Sequence, residues 1–452
     1  MEITLNLDFF WQLVRNPYFP MVRQIFIYLI WFLVIFLIIR AFWRFRLVRL
    51  QRNFLAQQEY VLLAIDVPRE NEQGPEVVEK MFAHLAGIKD EPEWWDRITT
   101  GKVQLNISME LISIEGHIQF LIYTPVKFRD LVEAAVYAAY SDAEIRAVDD
   151  YTQNISPEDL RDDYELWGAE LVLYNKNPYP IRTYPTFEHP LTKDLKDPMV
   201  DLLEVLGKLQ KDEQVWMQFV IMPIGSELRH EGMHLVKKLM GEKVPIVKTQ
   251  LEKLTDLPVN VLQKLSDLIL PTTAALNEKP ERAPALSPGE KDAIEAIQRK
   301  IAKLAFATKI RLIYVAKKDV FNKIKGVVSV LGAINTINTL DMNGLNPDKR
   351  TKTVRKKIET SGALIFKKEA ILAAYKNRAL GWLYTRGLIK FFQRLFYLFF
   401  NPKIIFTKLS ILNIEELATL YHFPIAESVK APLIKKTGFK RGEPPLGLPT
   451  LD

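Results

Sequence analysis

The sequence predicts an α+β protein with an N-terminal transmembrane helix followed by two ferredoxin-like β-α-β-β-α-β units, the second interrupted by a helical insertion. Three observations predict this class. An uncharged apolar run of 16 residues, Gln24–Ile39, lies near the start. Strand and helix patterns then alternate twice in the same order. Hydrophobic residues make up 48% and charged residues 25%, a balance typical of chains that bury real cores.

The apolar run predicts a membrane span over residues 21–43. Arg23 and Arg40 bracket it, and their long side chains can reach the headgroups on either side. Five arginines follow the run and two precede it, so the positive-inside rule places residues 1–20 outside and the basic segment 44–59 in the cytoplasm. No small-residue cleavage site follows, which disfavours a signal peptide. The expected location is the inner (cytoplasmic) membrane, with membrane lipid as a partner and the anchor residues Arg23, Trp31, Arg40, Trp43 and Arg44.

Residues 60–151 predict the first unit. The segment YVLLAIDV reads as a strand, and a helix with one apolar face follows it. Two strands meet at a turn at Glu115-Gly116, and an alanine-rich helix leads to a last strand. This order is the ferredoxin-like pattern. In chain order the elements are expected at 60–67, 74–86, 103–114, 117–123, 128–140 and 143–148.

Residues 164–345 repeat the order and predict the second unit, with a helical insertion at 225–303. Ser287-Pro288-Gly289-Glu290 is a capping box with proline at the first helical position, so it predicts a helix that begins there and ends near Lys303. The other expected helices of the insertion are 226–240 and 246–270. The strands and helices of the unit itself are expected at 169–174, 199–209, 215–222, 309–316, 320–331 and 337–340.

One motif indicates metal chemistry. His230, Glu231 and His234 form an HExxH pattern on a predicted helix, where two histidines four residues apart can chelate zinc and the glutamate can act as a base. A catalytic zinc needs a third ligand, and the only later histidine is His422. The charged neighbours favour a solvated helix face instead. A zinc metallopeptidase is therefore the alternative hypothesis. The leading expectation is that the protein binds no metal.

Other catalytic patterns are missing from the sequence. There is no GxxxxGK[ST] loop and no GxSxG elbow. Because the chain has no cysteine, disulfides, thiolate metal sites and cysteine nucleophiles are excluded. We therefore expect no enzyme and no cofactor.

The basic, aromatic-rich region at 346–410 is expected to be helical. It holds the whole excess of positive charge in the chain. Lys349–Lys408 holds 15 Lys or Arg residues against two acids, in a chain of net charge +7. Interleaved aromatics and cations can bind an anionic leaflet, stack on single-stranded nucleic acid, or form an ordinary core with a solvated face. The candidate contacts to lipid or nucleic acid are Arg386, Lys390, Phe391, Arg394, Phe396 and Lys403.

The C-terminal segment 411–452 contains LNIEELATLYHFP followed by a proline-rich tail. Together with YVLLAIDVPRENEQGPEVVEKMFAHLAG and SIEGHIQFLIYTPVKFRDLVEAAVYAAY, it resembles the membrane-proximal region of bacterial type IV secretion or conjugative DNA-transfer coupling ATPases, which are related to HerA/FtsK-like motors. The P-loop that such motors use is not found in this sequence. The resemblance implies docking to a motor, for which the candidate residues are Glu415, Glu416, Tyr421, His422, Phe423 and Pro424.

The leading hypothesis is a single-pass, membrane-anchored, non-enzymatic component of a DNA-translocation or type IV secretion-like assembly. Its expected partner is a separate P-loop motor ATPase, with DNA and a second copy of this chain as further candidates. A membrane-proximal nucleic-acid-binding protein is the other alternative beside the zinc peptidase.

Overall fold

The computed structural model describes residues 19–68, 71–187, 197–242, 286–354, 361–380 and 409–425. Within these ranges the protein is α+β, with one antiparallel sheet of nine strands and helices on both of its faces. The predicted class is therefore confirmed at this level.

Helix α1, Phe19–Ala56, contains the predicted span. Its 38 residues extend about 57 Å at 1.5 Å per residue. The apolar part is long enough to cross a membrane, and no other part of the chain that the structure describes covers it. Residues 44–56, predicted as a separate basic segment, continue the same helix. The side chains of Arg23 and Arg44 lie outside what the structure describes.

The first half of the sheet has the strand order β4-β1-β3-β2, with every neighbouring pair antiparallel. Its elements are β1 Tyr60–Asp66, α2 Pro75–Leu85, α3 Trp94–Thr99, β2 Ile107–Ile114, β3 His117–Pro125, α4 Arg129–Ala139 and β4 Glu144–Val148.

The second half has the order β6-β7-β5-β8, which mirrors the first, and β2 joins it by pairing with β6 from Ile107↔Ile221 to Ile114↔Gln214. Its elements are α5 Asp159–Asp162, β5 Tyr164–Leu173, α6 Val200–Gly207, β6 Glu213–Pro223, α7 Glu227–Leu239, α8 Pro288–Ala302, β7 Ala305–Lys317, α9 Ser329–Ile334 and β8 Leu345–Pro347.

Three further elements complete the fold: α10 Ser361–Lys376, β9 Ser410–Asn413 and α11 Ile414–Leu420. Strand β9 pairs with the first residues of β7, from Ala305↔Asn413 to Thr308↔Ser410. The backbone N–H of Leu173 donates to Ser410 Oγ at 3.3 Å, so β9 lies where β5 ends.

Helices cover both faces of the sheet, which explains why twelve of the thirteen residues of β7 are buried. On the first face α2, α4, α6, α9 and α11 enclose the main core around Phe82, Leu203 and Leu312. On the second face α10 and residues 151–160 enclose a smaller core around Trp216 and Tyr375. Helices α7 and α8 pack on each other as a third cluster.

Two predictions for the second unit need correction. No strand forms at 337–340; residues 335–337 make a 3-10 turn, and the strand lies at 345–347 instead. The Asn338 side chain accepts from the Leu345 N–H at 2.8 Å, and such local side-chain bonds compete with strand pairing. The predicted helix 320–331 starts instead as a π-helix at Ile324–Val328. The predicted helix 246–270 lies outside the described residues, whereas the capping box at Ser287 is present.

Candidate functional site: the anchored edge of the sheet

The polypeptide enters the sheet from α1 at one particular edge. Three residues separate α1 from strand β1, which begins with Tyr60 opposite Pro125, the last residue of β3. Val126 N–H donates to Glu59 O at 2.9 Å and fixes this entry. The beginnings of β2 and β7 and the end of β6 lie at the same edge, since Pro223 pairs with Phe306. We call this end of the sheet the anchored edge. It consists of the beginnings of β1, β2 and β7 and the ends of β3 and β6, with the residues that are hydrogen-bonded to them.

Helix α1 also touches the folded part from the side. Arg46 Nη1 donates to Ile98 O of α3 at 2.9 Å. Gly101 follows α3 with a φ of +75°, and a Cβ added there would lie 2.3 Å from the Leu50 carbonyl carbon. A left-handed backbone and so close an approach both require glycine. The link at Glu59 and this contact together set the direction of α1 relative to the sheet.

A row of polar side chains crosses the second face of the sheet just inside the anchored edge. Glu110, Gln218, Arg311 and Glu170 stand directly opposite one another on β2, β6, β7 and β5. All four are fully buried. Gln218 Nε2 donates to Glu110 Oε1 and Arg311 Nη1 donates to Gln218 Oε1, both at 2.9 Å. Because buried charges need partners, this polar row fixes the relative position of four strands.

Arg378, which follows α10, fixes that helix to the polar row. Its Nε donates to Glu110 Oε1 at 3.0 Å and its Nη1 donates to Asp150 Oδ2 at 2.6 Å. The carbonyl of Arg378 accepts from Asn106 Nδ2 at 2.9 Å, beside the start of β2. Burial alone would lower the pKa of Arg378, but Glu110 and Asp150 raise it above its ordinary value. The guanidinium therefore stays charged, and the end of α10 is held at the anchored edge.

Two buried tyrosines extend the network around Glu110. Tyr151 OH donates to Glu110 Oε2 at 2.9 Å and lies 2.8 Å from Tyr375 OH. Burial raises the pKa of both phenols well above their ordinary value. Burial also lowers the pKa of Arg311. The arrangement is suited to holding structure in place.

The described residues on either side of 381–408 contact β7 near this network. Before the segment, Ala379 O accepts from the Arg311 guanidinium. After it, Ser410 pairs with Thr308. Thr308 and Arg311 are three residues apart, about 10 Å along a strand. Ala379 and Ser410, which flank residues 381–408, therefore both lie at the anchored edge. The predicted contacts Arg386, Lys390, Phe391, Arg394, Phe396 and Lys403 lie outside the described residues.

The LNIEELATLYHFP segment is built into the fold. Asn413 caps α11 in a capping box with Glu416, a pairing that satisfies backbone N–H groups at the helix start. Glu416 Oε2 lies 2.9 Å from Lys300 Nζ on α8, and neither side chain is more than 1% exposed. Burial raises the pKa of Glu416 even though Lys300 lowers it. His422 Nε2 lies 2.9 Å from Asp197 Oδ1, also fully buried.

This burial bears on the six residues predicted to dock a motor. Tyr421 donates to Leu121 O at 3.2 Å, Phe423 stacks on Phe120, and both belong to the main core. Of the six, only Glu415 and Pro424 are half-exposed. The other four are buried and contact other residues of this chain. A docking role for the segment stays a prediction, with those two residues as its accessible part.

The HExxH motif lies on α7, with His230, Glu231 and His234 all exposed. Gly232 is buried in the same helix, and a Cβ there would lie 2.4 Å from Ile301 Cγ2 on α8. The glycine thus allows the two helices to pack closely. Within the described ranges, no three His, Asp or Glu side chains gather as a metal site. The zinc alternative stays a prediction.

The polar row and Arg378 were not predicted from the sequence, although a signal was present: each of the four strands carries a charged or amide residue inside an apolar run, such as Glu110 in ISMELISI and Gln218 in VWMQFVIM. Only the strand register shows that these residues meet.

Comparison with known proteins gives one family. Residues 51–338 match a family described as a domain of unknown function, DUF8128. No curated protein matches the chain. The matched range includes both halves of the sheet up to α9, whereas α10, β9 and α11 lie beyond it. Because the match covers more than half of the sequence, the protein belongs to the DUF8128 domain family.

Proposed function

We propose that this protein is a single-pass, membrane-anchored, non-enzymatic component of a DNA-translocation or type IV secretion-like assembly. In this proposal α1 spans the cytoplasmic membrane, the sheet lies on the cytoplasmic side, and a separate P-loop ATPase docks on it. The observation that carries the proposal is the anchored edge, where α1 enters and both ends of residues 381–408 attach.

The anchoring part rests on geometry and charge. A segment whose ends are fixed at the anchored edge is within reach of the membrane surface that α1 would leave. That surface is anionic on the cytoplasmic side, and each nearby Lys or Arg gains about 1 kcal/mol there. The Lys349–Lys408 region has 15 such residues against two acids. Its position thus favours lipid headgroups among the anionic partners considered.

The fold proposal is that both halves of the sheet are ferredoxin-like units. Each half has the element order β-α-β-β-α-β. Each half also has its first strand between its third and its fourth strands, with its second strand outermost on the other side. The pairing of β2 with β6 joins the two units through equivalent strands.

The DNA-transfer part rests on the resemblance of YVLLAIDVPRENEQG and LNIEELATLYHFP to coupling ATPases. The sequence has no GxxxxGK[ST] motif, so the proposal assigns hydrolysis to a different protein. In this proposal the described chain contributes the folded platform on which that protein docks.

Co-purification tests the proposed function. The full-length protein is extracted from its native membranes in a mild detergent, and its partners are identified by mass spectrometry. We expect to recover a protein with a GxxxxGK[ST] motif in a fixed ratio to this chain. The Glu415→Arg variant should no longer recover it. Glu133→Arg, on helix α4, is the matched control and should retain it. Recovery without any such ATPase would contradict the proposal.

A further inference from the structure

The tryptophans of the described chain fall into two groups. Trp167 and Trp216 are buried in the sheet, with 2% and 0% of their surface exposed. The other four described tryptophans are exposed, and all of them lie on α1 or α3. On α3, Trp94 is 70% exposed and Trp95 is 56% exposed.

Helix α3 gives these two side chains no core to pack into. None of its six residues is buried. The rings of Trp94 and Trp95 meet edge to face with their centroids 5.0 Å apart, so together they present one aromatic surface. Tryptophan is usually well buried in soluble domains, and it is enriched at membrane interfaces, where a ring can lie among headgroups.

The level of α3 along α1 matches that location. Arg46, which bonds Ile98 O, lies three residues past Trp43, about 5 Å along the helix. The same guanidinium lies 5.6 Å from the Trp43 ring centroid. Gly101 meets α1 one turn further from the apolar run, at Leu50. If α1 spans the membrane, the start of α3 therefore lies toward the apolar run, at the level of the headgroup layer, which is about 5–8 Å thick.

We propose that Trp94 and Trp95 insert into the phospholipid headgroup layer beside α1 and form a second membrane contact. The occupant is lipid, because α3 is joined to α1, which within the described ranges is the one helix long and apolar enough to span a membrane. Two contacts, one spanning and one interfacial, would fix the tilt of the sheet so that the anchored edge faces the bilayer. This inference rests on the proposed membrane span of α1.

Lipid-borne quenching tests the contact in the full-length protein. The protein is reconstituted in phosphatidylcholine vesicles, with or without bromines at acyl carbons 6 and 7, and compared with Trp94→Phe/Trp95→Phe. The difference in fluorescence reports the two residues. We expect brominated lipid to reduce it about twofold or more, and aqueous iodide to have little effect, as for an interfacial ring.

The control moves a tryptophan away from the membrane. Tyr137 is 43% exposed on α4, about 12 Å along the helix from its start near the anchored edge. Tyr137→Trp in the Trp94→Phe/Trp95→Phe background should be quenched by iodide and not by brominated lipid. All three substituted positions are on the surface, so folding is preserved.

The outcomes separate this inference from the membrane span. Trp31, in the middle of the apolar run, reports insertion of α1 through the matching difference with Trp31→Phe. If lipid quenches Trp31 but not the α3 pair, the interfacial contact is overturned while the span stands. If lipid quenches neither, the span fails and the contact with it. An α3 signal shielded from both lipid and iodide indicates a protein cover and also overturns the proposal.

Discussion

Substituting Arg378 by methionine perturbs the anchored edge most selectively. Methionine keeps an unbranched apolar stem and removes the guanidinium that bonds Glu110 and Asp150. Glu110 has no solvent access, so its carboxylate loses a charged partner with no water to replace it. The other bonds to Glu110 come from Ser108, Tyr151 and Gln218.

The cost follows from this burial. Removing one partner of a buried ion pair costs about 3–5 kcal/mol, and the three remaining hydrogen bonds place Arg378→Met near 3 kcal/mol. For a folded part of this size, 1 kcal/mol corresponds to roughly 2–4 °C in Tm, so the expected loss is about 6–12 °C. Glu110→Gln added to Arg378→Met removes the unpaired charge and should recover part of the loss.

Thermal unfolding of the full-length protein in detergent, followed by near-UV circular dichroism of the buried tryptophans, measures the change. Arg129→Met is the matched control, because Arg129 forms a partly solvent-exposed ion pair with Glu133. We expect no resolvable shift for the control. Equal Tm values for the Arg378 variant and the control would refute the reasoning, as would a double variant that is less stable than Arg378→Met alone.

Three further predictions concern the junction, the C-terminal segment and the basic region. Gly101→Ala should lower stability by about 1–3 kcal/mol, because its φ is positive and its Cβ would meet Leu50, whereas Gly289→Ala has free space and should be neutral or stabilising in the same unfolding assay. Lys300→Met should cost about 3 kcal/mol near neutral pH, because it leaves the buried Glu416 carboxylate without its cation. Burial raises the folded pKa of Glu416 above its ordinary 4.5, so stability from this group is complete below that pH and is lost as pH rises through the folded pKa. The deficit of Lys300→Met in urea unfolding should therefore grow from pH 4 to pH 8, and a deficit independent of pH would contradict this. Finally, if lipid is the partner of the Lys349–Lys408 region, flotation with vesicles should displace single-stranded DNA from the protein; DNA binding that persists on anionic vesicles and weakens steeply with salt would favour the nucleic-acid alternative.

Local signals predicted the elements that depend on local chemistry. The apolar run predicted α1, and Ser287 with Glu290 predicted the start of α8. Strands β1 and β3 could be predicted because most of their residues are apolar. In contrast, β9 has four residues and pairs with a strand about a hundred positions earlier, so no local periodicity predicts it. The loop near Asn338 was misjudged because side-chain bonds to the backbone outweighed a short apolar pattern.

The candidate site was harder to predict from the sequence than the fold. Glu110, Arg311 and Arg378 come from three distant segments, and only the register of four strands and the end of α10 brings them together. The docking residues were chosen by resemblance, and most of them form core because α11 closes the first face of the sheet. The Trp94-Trp95 pair was visible in the sequence, but its meaning depends on the contact between α3 and α1.

Topology is the measurement that tests the account most directly. Because the chain contains no cysteine, single cysteines at Asn6 and at Tyr137 can be labelled with a membrane-impermeant maleimide in intact spheroplasts. We predict that Asn6→Cys is labelled at once, and that Tyr137→Cys is labelled only after the membrane is permeabilised. Labelling of Tyr137→Cys in intact spheroplasts would place the sheet outside the cytoplasm and contradict the account.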